Sequence, residues 1–348
     1  MADISTELYQ NAAKTILETR RRPALYQIMN LARTYPPCPQ EQSKHIEALL
    51  LQYTPVTSNK SENLKKITKL IQQNANPNTN LIVLPEHSLI GSTGAKDFMD
   101  MAEDLQGDSV KQLAEIAKTY HSYLAFSMPL KEGQQFYSAA ILINNAGEIV
   151  GVYRKSHLNE SELSWASAGD KLSVFETPLG RIGFMIGDEV RIPDITNVLA
   201  MKRADIIIIP SAWYQQYGTS IEIEPDLLRE PYPQNTMNFW YNVAKYAQAY
   251  TLVANYVGGP LHFHGSSALY TLDPVEAHYL PMIADATHET AFKVTFDTQG
   301  KNDWWMNQNY LILGKRTELH PPLTLEYESP CFKAWRKNSN QNDFCWNH

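Results

Sequence analysis

The sequence predicts an α/β layered domain. Two observations carry that prediction. Short, wholly apolar runs such as Leu81-Ile82-Val83-Leu84 and Ile206-Ile207-Ile208-Ile209 read as strands buried on both faces. Segments with helical spacing of apolar residues alternate with those runs along the chain, which is the pattern of sheets covered by helices.

The elements follow in order. Residues 1–45 stand apart as an N-terminal helical extension, with two short helical patterns ending at Pro36-Pro37-Cys38-Pro39. Ala48-Leu49-Leu50-Leu51 is the first buried strand. Asn59 and Glu62 form a capping pair for the helix that follows, in which Leu64, Ile67, Leu70 and Ile71 make one apolar face. The strand at 81–84 stops at Pro85. Val110, Leu113, Ala114 and Ala117 mark a second helical face. Residues 123–128 and 138–143 read as strands, and Asn145-Ala146-Gly147 turns the chain into a strand over 149–153. Pro178-Leu179-Gly180 joins strands over 172–175 and 182–186. A helix carries Ile195, Val198 and Leu199, and another is expected over 238–250, leading into a strand over 251–254. Phe292, Val294 and Phe296 alternate with Lys293, Thr295 and Asp297, a half-exposed last strand. These patterns fit one sheet or two. The domain is expected over 46–300, with residues 301–348 as a tail carrying Trp304, Trp305, Tyr310, Trp335 and Trp346. Such a tail packs on its own domain or on a partner subunit.

Bulk properties narrow the function classes. In 348 residues, 43% are hydrophobic and 19% charged, as in a globular protein, and the net charge of −7 opposes nucleic-acid binding. The nearest basic run, Arg20-Arg21-Arg22, reads as a solvated helix end. Cys38, Cys331 and Cys345 are sparse and form no Cys-x-x-Cys pair, which suits a reducing compartment. No run approaches the ~18 apolar residues of a membrane span, and the N-terminus has no signal pattern. The expectation is a soluble cytoplasmic protein with no nucleic-acid or membrane partner.

Three segments carry the chemistry. One is Leu81-Ile82-Val83-Leu84-Pro85-Glu86. The next is Gly151-Val152-Tyr153-Arg154-Lys155-Ser156-His157-Leu158. The third is Gly183-Phe184-Met185-Ile186-Gly187-Asp188-Glu189-Val190-Arg191-Ile192-Pro193-Asp194, followed by Ala204-Asp205-Ile206-Ile207-Ile208-Ile209-Pro210-Ser211-Ala212-Trp213. Gly147-Glu148, Gly169-Asp170, Asn255 with Gly258, and Gly265-Ser266-Ser267 are lesser echoes. In this order the set resembles the nitrilase (carbon–nitrogen hydrolase) superfamily from about residue 46 to 297. The resemblance implies a four-layer α-β-β-α sandwich that pairs through a helix face into a homodimer. It also implies a thiol nucleophile, a carboxylate that takes the thiol proton, and a lysine at the developing oxyanion, with no cofactor. Glu86 and Lys155 take the last two roles. Glu162 is the candidate second glutamate, from the pattern Glu162, Trp165, Gly169-Asp170, with Glu160 as competitor. Asp188 and Trp213 are candidate ligand contacts.

The nucleophile position of that pattern holds Gly187. Asp188 and Glu189 follow at once, but displacement by one residue re-aims a side chain by several ångströms. The Arg-Ala-x-Glu-Asn block that the resemblance implies before the Asn255 strand reads Val243-Ala244-Lys245-Tyr246-Ala247 here. His157 reads as structural. His262 and His264 share one face but lack a matched third metal ligand. Three readings stay open. One is a catalytically silent pocket for a small amide-, nitrile- or acid-like ligand. Another is a hydrolase of non-peptide carbon–nitrogen bonds that works without cysteine, with a Glu86-activated water. The third is a non-enzymatic dimer scaffold.

Overall fold

The computed structural model describes residues 22–30, 44–214, 235–271, 281–298, 308–315, 324 and 330. The chain divides into two compact units, Cys38–Gln308 and Met1–Pro37 with Asn309–His348. In the smaller unit a 3-10 helix, Pro23–Asn30, buries Leu25 and Met29. Cys38, Cys331, Cys345, Trp304, Trp305, Trp335, Trp346 and most of the expected N-terminal extension lie outside the described residues.

The larger unit runs β1 (His45–Gln52), α1 (Lys60–Asn74), β2 (Leu81–Val83), α2 (Ala95–Met101), α3 (Asp108–Thr119), β3 (Tyr123–Glu132), β4 (Gln135–Ile143) and β5 (Ile149–Arg154). It continues with β6 (Val174–Thr177), β7 (Gly180–Phe184), α4 (Pro193–Met201), β8 (Ile206–Ser211), α5 (Asn238–Ala247) and β9 (Tyr250–Asn255). The short strands β10 (Val257–Gly258), β11 (Phe263–His264), β12 (Ala268–Tyr270) and β13 (Met282–Ile283) precede β14 (Thr290–Asp297), and α6 (Gln308–Leu313) begins at the last residue of the unit.

Two six-stranded mixed sheets form, in the orders β14-β1-β2-β3-β4-β5 and β13-β12-β9-β8-β7-β6. In each, parallel central strands are flanked by antiparallel ones. The alternation rule assigns their faces. Leu49, Leu51, Ile82, Leu84, Leu124, Phe126, Ile141 and Ile143 join Ile67 and Ile71 of α1 and Leu113 and Ala117 of α3 in one apolar cluster. The intervening Ala48, Leu50, Ala125 and Ala140 take the opposite face, where β1 meets β9 and β3 meets β8. On the second sheet, α5 packs on β9 and β12 and against α4. The result is the four-layer α-β-β-α sandwich. Polar side chains also cross between the sheets. Gln52 of β1 accepts from Ser267 N at 2.9 Å and donates to the Asp285 and His288 carbonyls.

Local details follow the sequence closely. Asn59 Oδ1 accepts from Glu62 N at 3.1 Å and caps α1, while the Glu62 carboxylate pairs with Lys65. Six elements differ from expectation. Helix α5 ends at Ala247, because Gln248 takes the left-handed conformation (φ 51°) and starts the turn into β9. Helix α2 gives no periodic signal, since it buries only Phe98. Strands β10 to β13 are two or three residues long and too short to show a period. No helix of the described residues is long and apolar enough to cross a membrane.

Candidate active site

Three strand ends converge where the two sheets meet. After β2 the chain passes Pro85, and Glu86 N donates to Ser211 O at the end of β8 (3.2 Å), joining the first sheet to the second. After β5, Lys155 N donates to Ser138 O, and Lys155 O accepts from Gly169 N, both at 2.8 Å. A Cβ on Gly169 would lie 2.2 Å from Arg154 O, so this approach requires glycine. After β7, Met185 and Ile186 lead to Gly187, whose φ of 53° starts a 3-10 turn, Gly187–Arg191.

Glu189 fixes that turn against the end of β5. Its carboxylate, fully buried, accepts from five donors: Tyr153 Oη, Ser156 N, Ser156 Oγ, His157 N and Ile186 N, at 2.7 to 3.1 Å. Burial pushes its carboxyl up, against the pull of Lys155 and these donors.

The side chains then meet. Lys155 Nζ, 1% exposed, lies 2.6 Å from Asp188 Oδ1, 2.7 Å from Glu162 Oε1 and 3.7 Å from Glu86 Oε1. Burial works to lower the ammonium, but Glu86, Glu162 and Asp188 outweigh it and the lysine stays charged. One ammonium cannot neutralise three carboxylates. Burial therefore dominates at Glu86, aided by Glu162, Asp188 and Glu189 and opposed by Lys155, and raises its carboxyl to about 8. Glu162 is also raised, for the same first reason. Asn159 orients Glu162: its N–H donates to Glu162 Oε2, and its side-chain oxygen accepts from Glu162 N, both at 3.0 Å. Glu162 is thus brought to Lys155, whereas Glu160 is exposed.

These groups line a cavity of about 410 Å³. Phe98 and Trp165 stack with centroids 4.9 Å apart and form one wall. His87 sits behind them with its Nε2 3.0 Å from Ser138 Oγ, and burial, then Lys155, lowers it to about 3, so it is neutral. Trp213 also lines the cavity. Asn255 places it, accepting from Trp213 N at 2.8 Å while its amide donates to Trp213 O and Gly265 O. Arg191 lies over the Trp213 ring at 5.0 Å. The described wall carries no cysteine.

The structure therefore brings together Glu86, Lys155, Glu162, Gly187 and Asp188, with Trp213 lining the same cavity. Glu86 and Lys155 lie at the same ends of their strands, but those strands are not neighbours: β3 and β4 lie between them. In place of the polar block expected on α5, Val243, Ala244 and Ala247 form a buried apolar face. Sequence reasoning missed the anchoring role of Glu189. Its position three residues beyond the last extended residue, Ile186, was the available signal. It also missed Ser211 and Arg191 as parts of the wall.

Comparison with known proteins agrees with this architecture. The sequence model of the carbon–nitrogen hydrolase family matches residues 48–274. The chain is 31% identical over 174 residues to a probable nitrilase of Schizosaccharomyces pombe, covering 48% of this chain and 64% of that protein. It is 30% identical over 168 residues to an omega-amidase of Bos taurus, covering 45% and 60%. The chain thus spans somewhat under two thirds of the length of these relatives. In fold it is similar to an amidase from Nesterenkonia sp., with a TM-score of 0.64 at 18% identity over 80% of this chain and 97% of that one. A CN-hydrolase superfamily protein from Xanthomonas campestris superposes with a TM-score of 0.59 at 16% identity, over 80% and 96%. With the family pattern matched along most of its sandwich, the chain belongs to the carbon–nitrogen hydrolase (nitrilase) family.

Proposed function

We propose that this chain is a catalytically silent member of its family, cytoplasmic and homodimeric, that uses the cavity beside Gly187 to bind a small amide-, nitrile- or acid-like ligand without a cofactor. One observation carries the reading. A Cβ built on Gly187 would stand 2.6 Å from Glu86 Oε2 and 3.0 Å from its Cδ. In the family pattern Gly187 stands where the thiol belongs, and the Glu86 carboxyl fills the space in which that side chain would begin. The charged cluster and the aromatic walls remain, so a pocket persists without a nucleophile. Losing a nucleophile costs about a millionfold in a well-studied serine enzyme, and the other members of its site do not compensate.

A second reading has an observation in its favour. A carboxyl held near 8 by burial lies close to neutral pH, where a general base works best, and Glu86 could activate a water against an amide. The two readings separate in one experiment. The wild-type chain is incubated with a panel of small amides and nitriles, with ammonia release and ligand-induced thermal stabilisation followed together. Stabilisation without ammonia supports the silent pocket. Turnover near ~1 per second or faster transfers the function to the cysteine-free hydrolase. Sedimentation equilibrium tests the homodimer, and a monomer at micromolar concentration removes that part of the proposal.

A further inference from the structure

With Glu86 ionised, the described wall of the cavity has more negative charge than positive. Glu86, Glu162 and Asp188 line it, against Lys155 and Arg191. Lys155 is already committed to Asp188 at 2.6 Å and Glu162 at 2.7 Å. Arg191 is drawn over the rings of Trp213 and Phe239, at 5.0 and 5.8 Å. Glu86, 3.7 Å from Lys155 Nζ, is beyond hydrogen-bond reach of it. The side chain of Asp188 is 31% exposed toward the cavity.

A separate observation points to a bound group. Ser211 is fully buried at the end of β8 and lines the same cavity, yet its hydroxyl has no hydrogen-bond partner. Buried hydroxyls are seldom left unpaired, because the lost hydration is not recovered. Ser211 and Glu86 are direct neighbours through the Glu86 N to Ser211 O bond. The described residues form no metal-binding group. The carboxylates and the Ser211 hydroxyl oxygen on this wall are acceptors, which suit an organic group with several N–H donors and a positive charge.

We propose that the cavity takes a small amidine or guanidine, the cationic counterpart of an amide, with its N–H groups directed to Glu86, Asp188 and the Ser211 hydroxyl. Planar cations of this kind pair with carboxylates through two parallel hydrogen bonds. The Phe98–Trp165 stack lines the same cavity and supplies aromatic surface for the same charge. With Glu86 ionised, a carboxylate ligand would add a further anion to a cluster that already exceeds its cations. The inference rests on the pocket reading above and narrows it to the amide-like class.

The charge state of Glu86 gives the proposal a signature. Glu86 is faced by Lys155 after β5, Glu162 of the 3-10 turn Glu162–Ser164, Asp188 and Glu189 of the turn after β7, and neutral His87 beside it, with Arg191 lining the same cavity. Below about 8 it holds a proton that a cation must displace. Affinity for a cation then rises by up to about tenfold per pH unit below that value and levels off above it.

The test is isothermal titration calorimetry of the full chain with butyramidine, butyramide and butyrate, at about pH 6.5 and about pH 8.5. Butyramidine is expected to bind at least about tenfold tighter than the other two at the higher pH, to tighten by at least about tenfold between the two pH values, and to release a proton on binding. Glu86→Gln should flatten the pH dependence. Ser211→Ala should weaken butyramidine by about five- to tenfold, one hydrogen bond's share, without lowering the melting temperature. Preference for butyrate or butyramide, or a pH-independent affinity for butyramidine, overturns the cation inference and leaves the pocket reading intact. An unchanged affinity in Ser211→Ala removes that hydroxyl from the proposal. Binding of none of the three at millimolar concentration overturns both. Ammonia release from butyramide with butyramidine still the tightest ligand overturns catalytic silence alone.

Discussion

Gly187→Ala is the most direct probe of the site, and its cost can be worked from two quantities. The first is the backbone. At φ 53° glycine is unstrained, whereas an L-residue in the left-handed region costs about 1–2 kcal/mol. The second is contact. The new Cβ would lie 2.6 Å from Glu86 Oε2, whereas ordinary contacts begin at 3.4 Å, so the carboxyl must retreat by 3.4 − 2.6 = 0.8 Å. Glu86 can yield toward Lys155, but leaving its rotamer adds about 0.5–1.5 kcal/mol. The sum is about 1.5–3.5 kcal/mol, or roughly 3–7 °C in melting temperature at the ~2 °C per kcal/mol of a large domain. Scanning calorimetry of Gly187→Ala, Glu86→Ala and the double variant separates the parts. With Glu86 shortened, only the backbone cost should remain, leaving a coupling of about 0.5–1.5 kcal/mol. If Gly187→Ala melts with the wild type, a side chain fits there, and the claim that Glu86 occupies the nucleophile's space is wrong. Gly187→Cys carries the same cost and adds a thiol. It is expected to give slow turnover or a trapped adduct with activated esters, read by intact mass, because α5 lacks the polar bracing residues of the family pattern.

Other perturbations have defined outcomes. Glu86 ionises near 4.5 unfolded and near 8 folded, so the folded state holds the extra proton between those values. Stability should fall as pH rises through that window by up to ~1.4 kcal/mol per unit and flatten above it. Denaturant melts should show a shallower slope for Glu86→Gln; an unchanged slope would mean that Glu86 is ionised throughout. Glu189→Ala takes the shared acceptor from five donors, four of them buried, and should cost about 3–5 kcal/mol, with partial rescue by Glu189→Gln. A loss below ~1 kcal/mol, read by chemical denaturation, would show that the turn holds without it. Asp205 pairs with Arg181 through two buried contacts at 2.8 and 2.9 Å and also accepts from Arg181 N. Asp205→Ala should cost about 3–5 kcal/mol and leave ligand binding unchanged, since it lies at the other end of β7 from Gly187.

Much of this site was legible because punctuation marks its edges. Pro85 stops β2, Pro178-Leu179-Gly180 turns β6 into β7, and Gly187 stands beyond the last extended residues, so the strand ends could be placed to within a residue or two. Their meeting could not. Periodicity is local, and nothing local says that β1 pairs with β14 or that β2 and β5 lie in one sheet while β7 and β8 lie in the other. The spacing to Trp165 and Gly169-Asp170 favours Glu162 over Glu160 in the sequence, but the physical reason, the two hydrogen bonds of Asn159 that orient Glu162, shows only in the fold. Glu189 looked ordinary because an acidic residue early in a helical turn usually is. Only the fold places its five donors around it. Ser211 was hidden for the opposite reason: a hydroxyl at the end of an apolar strand carries no signal until the space beside it is known.

The network around Glu189 bears on what this site can say about ancestry. The carboxylate joins the residues next to Lys155 to the residue before Gly187, so the folded state itself demands that those two strand ends, one from each sheet, stay together. Lys155 is held at its station by the requirements of folding, whether or not any reaction takes place there. A chain that had given up its nucleophile would keep the outline of an active site for as long as it kept its stability. An intact charged cluster in such a protein is a record of the scaffold, and the chemistry has to be sought in the groups that the scaffold leaves free.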